Sequence, residues 1–339
     1  MIVDALKKVS SGRHLTAAES ADAFMQMMNG ENIDHVVAGA LLTALAMNRP
    51  NAEEVIGAAT AMRAVALRIS APEDAVDIVG TGGDGLGTFN CSTTAAFVAA
   101  GAGVTIAKHG NRASTSQSGS ADCLAALGYN LLQDLADVER SIAVNGIGFC
   151  FANRCHPAMK HIAPVRRALP FRTIFNLVGP LSNPAGVRRY ALGVCDQETS
   201  AIYIEALKTF KAKKALVFTG PDGLDELGLS GVSHVAELDA DGNIREYEFD
   251  PKRIFGRYFP IEAIKGGTSA QNAAITLGVI NGSERGAFRF ATLANAAAAI
   301  VAGGKAATLE EGVRMAEEAI DSGAAAAKLS AMVAGSRKE

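Results

Sequence analysis

The feature that most constrains this chain is a run of glycines between a short apolar segment and a helix start. Residues 76–97, VDIVGTGGDGLGTFNCSTTAAF, predict a buried strand at Val76–Val79 and a helix that starts at 92–94. Glycines let backbone N–H groups point inward, and a helix start adds unpaired N–H groups and the positive end of its dipole. The segment therefore predicts an anion site for phosphate or pyrophosphate. Its glycines are Gly80, Gly82, Gly83, Gly85 and Gly87.

The spacing of Gly80, Gly82 and Gly85 also matches a dinucleotide-binding fingerprint, which makes two structural demands. Its helix must begin inside the motif, but here the loop continues to Asn90. Its second strand must end near an acidic residue, whereas the next predicted strand ends at Lys108. We therefore disfavour a dinucleotide site, and no Gly-Lys-Ser/Thr sequence follows for a Walker A loop. A merely structural turn is disfavoured too, because five glycines cost chain entropy.

Short β-branched segments alternate with helices after Pro72, which predicts an α/β fold with a mixed, mainly parallel central sheet. The predicted strands are Val76–Val79, Val104–Ala107, Ile147–Phe151, Tyr190–Val194, Ala215–Phe218 and His234–Leu238. The predicted helices of this part are Ala95–Ala100, Ala121–Leu127, Ser200–Phe210, Ala270–Ile280 and Leu293–Ala302.

Residues 1–70 show only helical patterns and predict a small N-terminal all-helical domain. Residues 71–339 are then the larger α/β domain. The proline-edged segment at about 164–184 is helical in pattern and is expected to return to the helical domain. The predicted N-caps are Thr16 for Ala17–Met28, with Glu19 completing a capping box, Asp34 for Val36–Met47 and Asn51 for Ala52–Leu67.

Composition excludes several classes of protein. Lys and Arg number 32 against 35 Asp and Glu, so a net charge of -3 offers no polybasic surface for nucleic acid or membrane. The most apolar windows, Ala95–Ala107 and Ala291–Gly304, are shorter than the roughly 18 residues of a membrane span. No secretory signal is recognisable, and five cysteines without a C-x-x-C pair indicate reduced thiols. We expect a cytoplasmic protein.

A second polar loop follows the predicted strand Val104–Ala107. Residues 108–122, KHGNRASTSQSGSAD, combine cations, a histidine, an amide and hydroxyls, and Ser120 is the expected N-cap of Ala121–Leu127. Ligands of open α/β sheets bind beyond the carboxyl ends of the strands. This loop and the glycine-rich loop are therefore expected to face one pocket.

These segments resemble the anthranilate phosphoribosyltransferase family. The similarity covers essentially the whole chain and includes GTGGDGLGTFNCST, KHGNR, SGSAD, HPAMK (156–160), VRR (165–167), RTIFN (172–176), GPL (179–181), DEL (225–227) and GG (266–267) with NAA (272–274). It implies the fold class of nucleoside phosphorylases and phosphoribosyltransferases, with the helical domain hinged to the α/β domain. Asn153, Cys91 and Gly228-Leu229 depart from the family's usual residues.

The resemblance implies a transferase of tryptophan biosynthesis. It would transfer the phosphoribosyl group of phosphoribosyl pyrophosphate to the amine of anthranilate, which is the second step from chorismate. The resemblance also implies Mg²⁺ as the cofactor and a homodimer as the assembled form. The implied contacts to phosphoribosyl pyrophosphate are Gly80, Gly83, Asp84, Thr88, Asn90, Ser92, Thr93, Lys108, Asn111, Ser116 and Ser120. The implied anthranilate site consists of Gly80, His109, Asn111, His156, Arg166 and Pro180.

The implied metal ligands are Ser92, Asp225 and Glu226, since carboxylates together with substrate phosphates are typical of Mg²⁺ sites. Without the resemblance, an Asp-Glu pair is more often a solvated turn. A weakly basic amine demands no dedicated base, and His109 and His156 are the candidates to orient it or receive its proton. The other histidines are expected to be structural.

Two other functions are weighed against this one. A pyrimidine nucleoside phosphorylase of the same fold would need no acidic metal pair, which Asp225 and Glu226 count against. A non-catalytic relative that binds nucleic acid would show a basic surface and a damaged glycine-rich loop, but the net charge is -3 and the loop is intact.

Overall fold

A seven-stranded β-sheet forms the centre of the protein, whose computed structural model describes residues 1–30, 33–113 and 116–337. The strands are β1 (Val76–Gly80), β2 (Ile106–Gly110), β3 (Ile147–Phe151), β4 (Arg189–Gly193), β5 (Lys214–Thr219), β6 (Ser233–Leu238) and β7 (Ile244–Phe249). Their spatial order is β3-β2-β1-β4-β5-β6-β7. Neighbours are parallel from β3 to β5 and antiparallel from β5 to β7, which confirms the predicted mixed, mainly parallel sheet.

Helices cover both faces of the sheet. In the described ranges they are α1 (Ile2–Val9), α2 (Ala17–Asn29), α3 (His35–Asn48), α4 (Ala52–Ala64), α5 (Cys91–Gly101), α6 (Ser120–Ala126), α7 (Leu135–Asn145), α8 (Ala152–Cys155), α9 (Ala163–Ala168), α10 (Phe175–Val178), α11 (Gln197–Thr209), α12 (Pro251–Phe255), α13 (Ser269–Ile280), α14 (Ala287–Ala302), α15 (Leu309–Asp321) and α16 (Ala324–Ser336). None of these helices combines the length and apolar character that crossing a membrane requires.

Two apolar cores lie on opposite faces of the sheet. On one face, α5, α14, α15 and α16 pack against alternate strand residues such as Ile78 and Ile106. On the other face, α1–α4 and α11 share a continuous core with the intervening strand residues, among them Ala107 and Leu192. The N-terminal helices therefore bury their apolar faces against the sheet layer as well as against one another.

Helices α2 and α4 begin at the predicted residues, and α3 begins one residue earlier than predicted, at His35. Thr16 Oγ1 accepts the Glu19 N–H at 3.3 Å, and Glu19 Oε2 accepts the Thr16 N–H at 2.8 Å, which confirms the capping box. Asp34 and Asn51 are the predicted caps of α3 and α4, and both are confirmed. α4 ends at Ala64, three residues before the predicted end.

Residues 164–184 contact the N-terminal helices. The rings of Phe175 in α10 and Phe24 in α2 lie 5.3 Å apart, edge to face. α9 contacts α3, and α10 contacts α4. The division of the chain near residue 70 stays a prediction, because the core of the helices continues into the sheet layer.

Several predicted boundaries were wrong. β2 runs to Gly110, so Lys108 and His109 are strand residues and do not begin a loop. α6 starts at Ser120 itself and is capped by Gly119, whose N–H donates to Asp122 Oδ2 at 3.1 Å. Helix α5 begins one residue early, at Cys91. The sequence analysis also missed β7 and the helices α7, α8, α12, α15 and α16.

The close packing of α2 and α4 depends on Gly57. A Cβ atom there would lie 2.3 Å from the Ala17 carbonyl oxygen and 2.5 Å from Ser20 Cβ. We expect Gly57→Ala to lower the free energy of unfolding by about 1–3 kcal/mol, although alanine is the better helix former. Gly278→Ala in α13 is the matched control, since its nearest neighbour would be 3.4 Å away. Chemical denaturation of both variants checks this, and equal stabilities would contradict it.

Candidate active site

The glycine-rich loop is shaped by the segment that contains Asp225. Gly82, Gly83, Gly85 and Gly87 all have positive φ, between 65° and 75°, which favours glycine. The Gly82 N–H donates to Asp225 Oδ2 at 2.5 Å. A Cβ atom on Gly80 would lie 2.4 Å from that oxygen, so the end of β1 needs a residue without a side chain.

Glycine is required on the neighbouring strand for the same reason. A Cβ atom on Gly193, at the end of β4, would lie 1.8 Å from the Asp225 carbonyl oxygen. The Asp225 segment therefore rests on the ends of both β1 and β4. The strand order changes direction between these two strands, which is where open α/β sheets bind their ligands.

Helix α5 and strand β2 bring two further groups to this point. The Ser92 N–H, in the first turn of α5, donates to Glu226 Oε1 at 3.0 Å. The Lys108 ammonium, from β2, donates to Ser92 Oγ at 3.3 Å and to the Ile78 carbonyl at 2.5 Å. The three residues implied as metal ligands and the implied phosphate-binding lysine thus lie in one connected cluster.

Asp84, Asp225 and Glu226 form an acidic cluster with an excess of negative charge. Asp225 and Glu226 are only 7% and 9% exposed, so they are not a solvated turn. Burial raises the pKa of Asp225, and the charge of Asp84 raises it further. Burial also raises the pKa of Glu226, as does the charge of Asp225, whereas Lys108 opposes the shift. Burial lowers the pKa of Lys108 against the opposing effect of the carboxylates.

The acidic cluster fits a bound divalent cation. Asp84 Oδ2 is buried and accepts no hydrogen bond from the described residues. Within those same ranges, no three His, Cys, Asp or Glu side chains are placed to hold a metal ion by themselves. A cation at Asp225, Glu226 and the Ser92 hydroxyl would complete its ligands with water or substrate phosphates, as is usual for Mg²⁺.

The glycine-rich loop and the loop after β2, which the sequence places at one pocket, are joined by hydrogen bonds. Ser118 Oγ donates to Asn90 Oδ1 at 3.0 Å, and Asn90 Nδ2 donates to the Ser118 carbonyl at 3.1 Å. Asn272 Nδ2 donates to the same Asn90 oxygen at 2.8 Å. The Ser118 side chain is buried, whereas the predicted site residues Ser116 and Asn111 are exposed.

The remaining predicted phosphate contacts lie around these two loops. Thr88 forms an isolated β-bridge with Lys265, and Thr93 Oγ1 is buried without a hydrogen-bond partner among the described residues. Ser120 Oγ donates to the Asn111 carbonyl at 3.2 Å, so it ties its own loop together.

His109 and His156 form a buried pair on the other side of β2, with ring centroids 5.1 Å apart. Burial lowers the pKa of His109 to about 3 and that of His156 to about 4. Both rings are therefore neutral near pH 7. His109 Nδ1 lies 3.2 Å from the Gly179 carbonyl, which requires the proton on Nδ1. His109 Nε2 is then a bare acceptor, and it has no partner within the described chain.

Arg166 and Pro180 belong to the segments around this histidine pair. Pro180 is buried directly after Gly179. The Arg166 guanidinium lies 5.0 Å from the Phe175 ring centroid, and burial lowers its pKa. In the ranges described, no hydrogen bond or ion pair joins Arg166 to a carboxylate or to the histidines. Its fork of N–H donors is therefore free to bind a planar carboxylate.

Sequence reasoning missed three residues of the site. Arg172 Nη2 donates to the Gly82 carbonyl at 2.9 Å, and its Nη1 lies 3.4 Å from the Gly83 carbonyl. Asp77 and Asn183 form a buried hydrogen bond of 2.8 Å beside His109. Asp77 had a usable signal, since it is a carboxylate inside an otherwise apolar strand, whereas Asn183 had none.

Comparison with known proteins supports a transferase. A model described as "Glycosyl transferase family, a/b domain" matches residues 72–326, and one described as "Glycosyl transferase family, helical bundle domain" matches residues 3–66. The fold and the site thus define a glycosyl transferase with an N-terminal helical bundle.

Individual relatives narrow the family. Anthranilate phosphoribosyltransferase of Rubrobacter xylanophilus is 48% identical, over 100% of this chain and 98% of its own. The Thermus thermophilus enzyme superposes with a TM-score of 0.92 at 42% identity, covering 99% of this chain and 100% of its own. The Saccharomyces cerevisiae enzyme in complex with PRPP and Mg superposes with a TM-score of 0.90 at 28% identity, covering 99% of this chain and 97% of its own. This chain belongs to the anthranilate phosphoribosyltransferase family.

The buried histidine pair predicts a pH-dependent stability. An unfolded histidine has a pKa of 6.5, whereas the folded values are about 3 and 4. Above pH 6.5 neither state is protonated, and below it the unfolded state alone binds protons, so acid favours unfolding. We expect a loss of about 2 kcal/mol per histidine between pH 8 and pH 5. Urea denaturation at both pH values checks this, with His109→Asn/His156→Asn showing a smaller loss. Equal losses in the two proteins would contradict the burial of neutral rings.

Proposed function

We propose that this protein transfers the phosphoribosyl group of phosphoribosyl pyrophosphate to the amine of anthranilate and releases pyrophosphate, the second step of tryptophan synthesis from chorismate. The observation that carries the proposal is the acidic cluster beside Lys108, held against a glycine-rich loop at the end of β1. A pyrimidine nucleoside phosphorylase needs no such acidic pair. A net charge of -3 gives no support to a nucleic-acid-binding relative.

The glycine-rich loop and α5 are proposed to bind the pyrophosphate end of the donor. Breaking the anomeric C–O bond puts negative charge on pyrophosphate, and preorganised N–H groups together with the Lys108 ammonium stabilise that charge. Mg²⁺ held by Asp225, Glu226 and Ser92 would neutralise phosphate charge. The proposed donor contacts are Gly80, Gly83, Asp84, Thr88, Asn90, Ser92, Thr93, Lys108, Asn111, Ser116 and Ser120.

The histidine side of β2 is proposed to bind anthranilate. Arg166 would bind the carboxylate through its guanidinium, which lies against Phe175. His109 Nε2 is an unprotonated acceptor that suits the amine proton as the C–N bond forms. Gly80, Asn111, His156 and Pro180 complete the proposed acceptor site. Neutral histidines leave the developing positive charge on the ribosyl carbon without a repelling neighbour.

We also propose a cytoplasmic homodimer that associates through its N-terminal helices. The side chains of Val36 and Met47 on α3 are 81% and 79% exposed, and Val3 on α1 is 42% exposed. Helices α1 and α3 pack on each other, and exposed apolar side chains on such a helix pair favour association with another protein surface. We propose the helical unit 1–70 and the α/β unit 71–339 as the two domains, with segment 164–184 packed on the first.

Anthranilate fluorescence tests the function directly. Purified protein with anthranilate, phosphoribosyl pyrophosphate and Mg²⁺ is expected to show a loss of fluorescence that stops when any one component is omitted. No loss with folded protein, together with phosphorolysis of pyrimidine nucleosides, would overturn the proposal in favour of the phosphorylase.

Replacement of Arg166 tests the acceptor site. Arg166→Ala is expected to raise the anthranilate KM by about 10- to 100-fold, the range of one lost charged hydrogen bond, and to leave the phosphoribosyl pyrophosphate KM unchanged. Arg167→Ala, at the exposed neighbouring position, is the matched control and should change neither. Steady-state kinetics measures both constants, and an effect of Arg166→Ala on the phosphoribosyl pyrophosphate KM alone would refute the assignment.

A further inference from the structure

The sheet is split between β1 and β2. These neighbouring strands pair at Val76 and Ile106 only, whereas β1 pairs with β4, and β2 with β3, along their full lengths. The split opens toward the carboxyl ends of the strands, which is where the candidate active site lies. Backbone groups that face such a gap must find other partners, because unpaired buried N–H and C=O groups are costly.

Three buried side chains take the place of the missing backbone bonds. Their exposed fractions are 0% for Asp77, 4% for Lys108 and 3% for Asn183. Asp77 Oδ1 accepts the His109 N–H at 3.0 Å, the Lys108 ammonium donates to the Ile78 carbonyl at 2.5 Å, and Asn183 Nδ2 donates to the Ala107 carbonyl at 2.8 Å.

Asp77 connects His109 to the segment Gly179–Asn183. Its second oxygen, Oδ2, accepts the Asn183 amide at 2.8 Å, and Asn183 Oδ1 accepts the Ala185 N–H at 2.9 Å, which fixes the amide's orientation. Gly179, at the start of this segment, accepts the hydrogen bond of the His109 ring. The main chain of His109 is thus held by Asp77 directly, and its ring by a segment that Asp77 anchors through Asn183.

Asp77 itself is not part of the substrate-facing surface. It is completely buried within β1, and both of its oxygens are used by protein donors. A buried carboxylate is costly, so a purely apolar residue would serve the strand better if packing were its only role. A carboxylate suits this position because its two oxygens accept from two different donors, the His109 N–H and the Asn183 amide.

We propose that Asp77 is a positioning residue for the acceptor, acting through His109 and Asn183 to set the place of the His109 ring. This inference rests on the proposed function. Asp77 does not act on the substrate, so its removal changes how anthranilate is bound and oriented. Within the described part of the chain, Asp77 makes no hydrogen bond to the acidic cluster or to the glycine-rich loop. Its charge does act on the buried Lys108 ammonium, where it opposes the lowering of the Lys108 pKa by burial.

Asp77→Asn is the sharpest test. The asparagine retains an acceptor for the His109 N–H but turns an amide N–H toward the Asn183 amide, which Ala185 prevents from rotating. We expect the anthranilate KM to rise about 10-fold, and the phosphoribosyl pyrophosphate KM to rise less, because the change also removes the charge that faces Lys108. Asn183→Ala keeps that charge and should leave the phosphoribosyl pyrophosphate KM within about two-fold. Asp74→Asn, the same change at an exposed position before β1, is the control and should leave both constants unchanged.

A double variant tests the coupling. Asn183→Ala removes the opposing donor, so the anthranilate KM of Asp77→Asn/Asn183→Ala should stay within about two-fold of the worse single variant. Multiplicative effects, or parallel rises in both KM values with a lowered Tm, would overturn the inference and leave Asp77 a merely structural residue. If Asp77→Asn does not fold, Asn183→Ala alone must raise the anthranilate KM without raising the phosphoribosyl pyrophosphate KM. An unchanged anthranilate KM in that variant would overturn the inference.

Nitrogen NMR of the histidine rings separates this inference from the proposed function. In the wild type the His109 proton is expected on Nδ1, and Asp77→Asn should populate the Nε2 tautomer as the contact to Gly179 loosens. An unchanged His109 signal would overturn the positioning role whether or not the protein turns over anthranilate. If the wild type does not turn over anthranilate but Asp77→Asn shows the expected change in the His109 signal, the proposed function is wrong and the positioning role of Asp77 stands.

Discussion

The burial of Asp225 and Glu226 beside Lys108 is the constraint on which the rest of the site depends. Carboxylates this deeply buried need donors, and they obtain them from the Gly82 and Ser92 N–H groups. Those donors are available only if the ends of β1 and β4 lack side chains, as Gly80 and Gly193 show. The same arrangement leaves negative charge in excess, which a divalent cation and its phosphate ligands would balance.

The two sides of the site differ in charge because the fold gives them different surroundings. The acidic cluster lies where a helix start, a glycine-rich loop and two strand ends meet, so charged groups find donors there. The histidine pair lies against the Gly179–Asn183 segment, where burial keeps both rings neutral. This difference suits the proposed reaction. The acidic cluster and its cation would bind the charged pyrophosphate, and the neutral histidine pair would bind the uncharged amine.

Local features of the sequence predicted the parts of the fold that local forces decide. The strand, glycine-rich loop and helix at 76–97, the caps at Thr16, Asp34 and Asn51, and the mainly parallel sheet follow from patterns a few residues long. The extension of β2 to Gly110 could not be predicted from such patterns. Lys108 and His109 are polar residues of the kind found in loops, and only their buried partners explain why they are in a strand. The partners of Gly82 and Asp77 lie 143 and 106 residues away, a separation that no local pattern reveals.

Binding of Mn²⁺, followed by electron paramagnetic resonance in the presence of pyrophosphate, tests the central role of the acidic cluster most directly. The wild-type protein should immobilise the ion, and Asp225→Asn/Glu226→Gln should bind it at least about 10-fold more weakly, a loss of about 1.4 kcal/mol, with an unchanged circular dichroism spectrum. Equal Mn²⁺ affinity in the two proteins would show that the buried carboxylates do not hold the cation and would contradict the account.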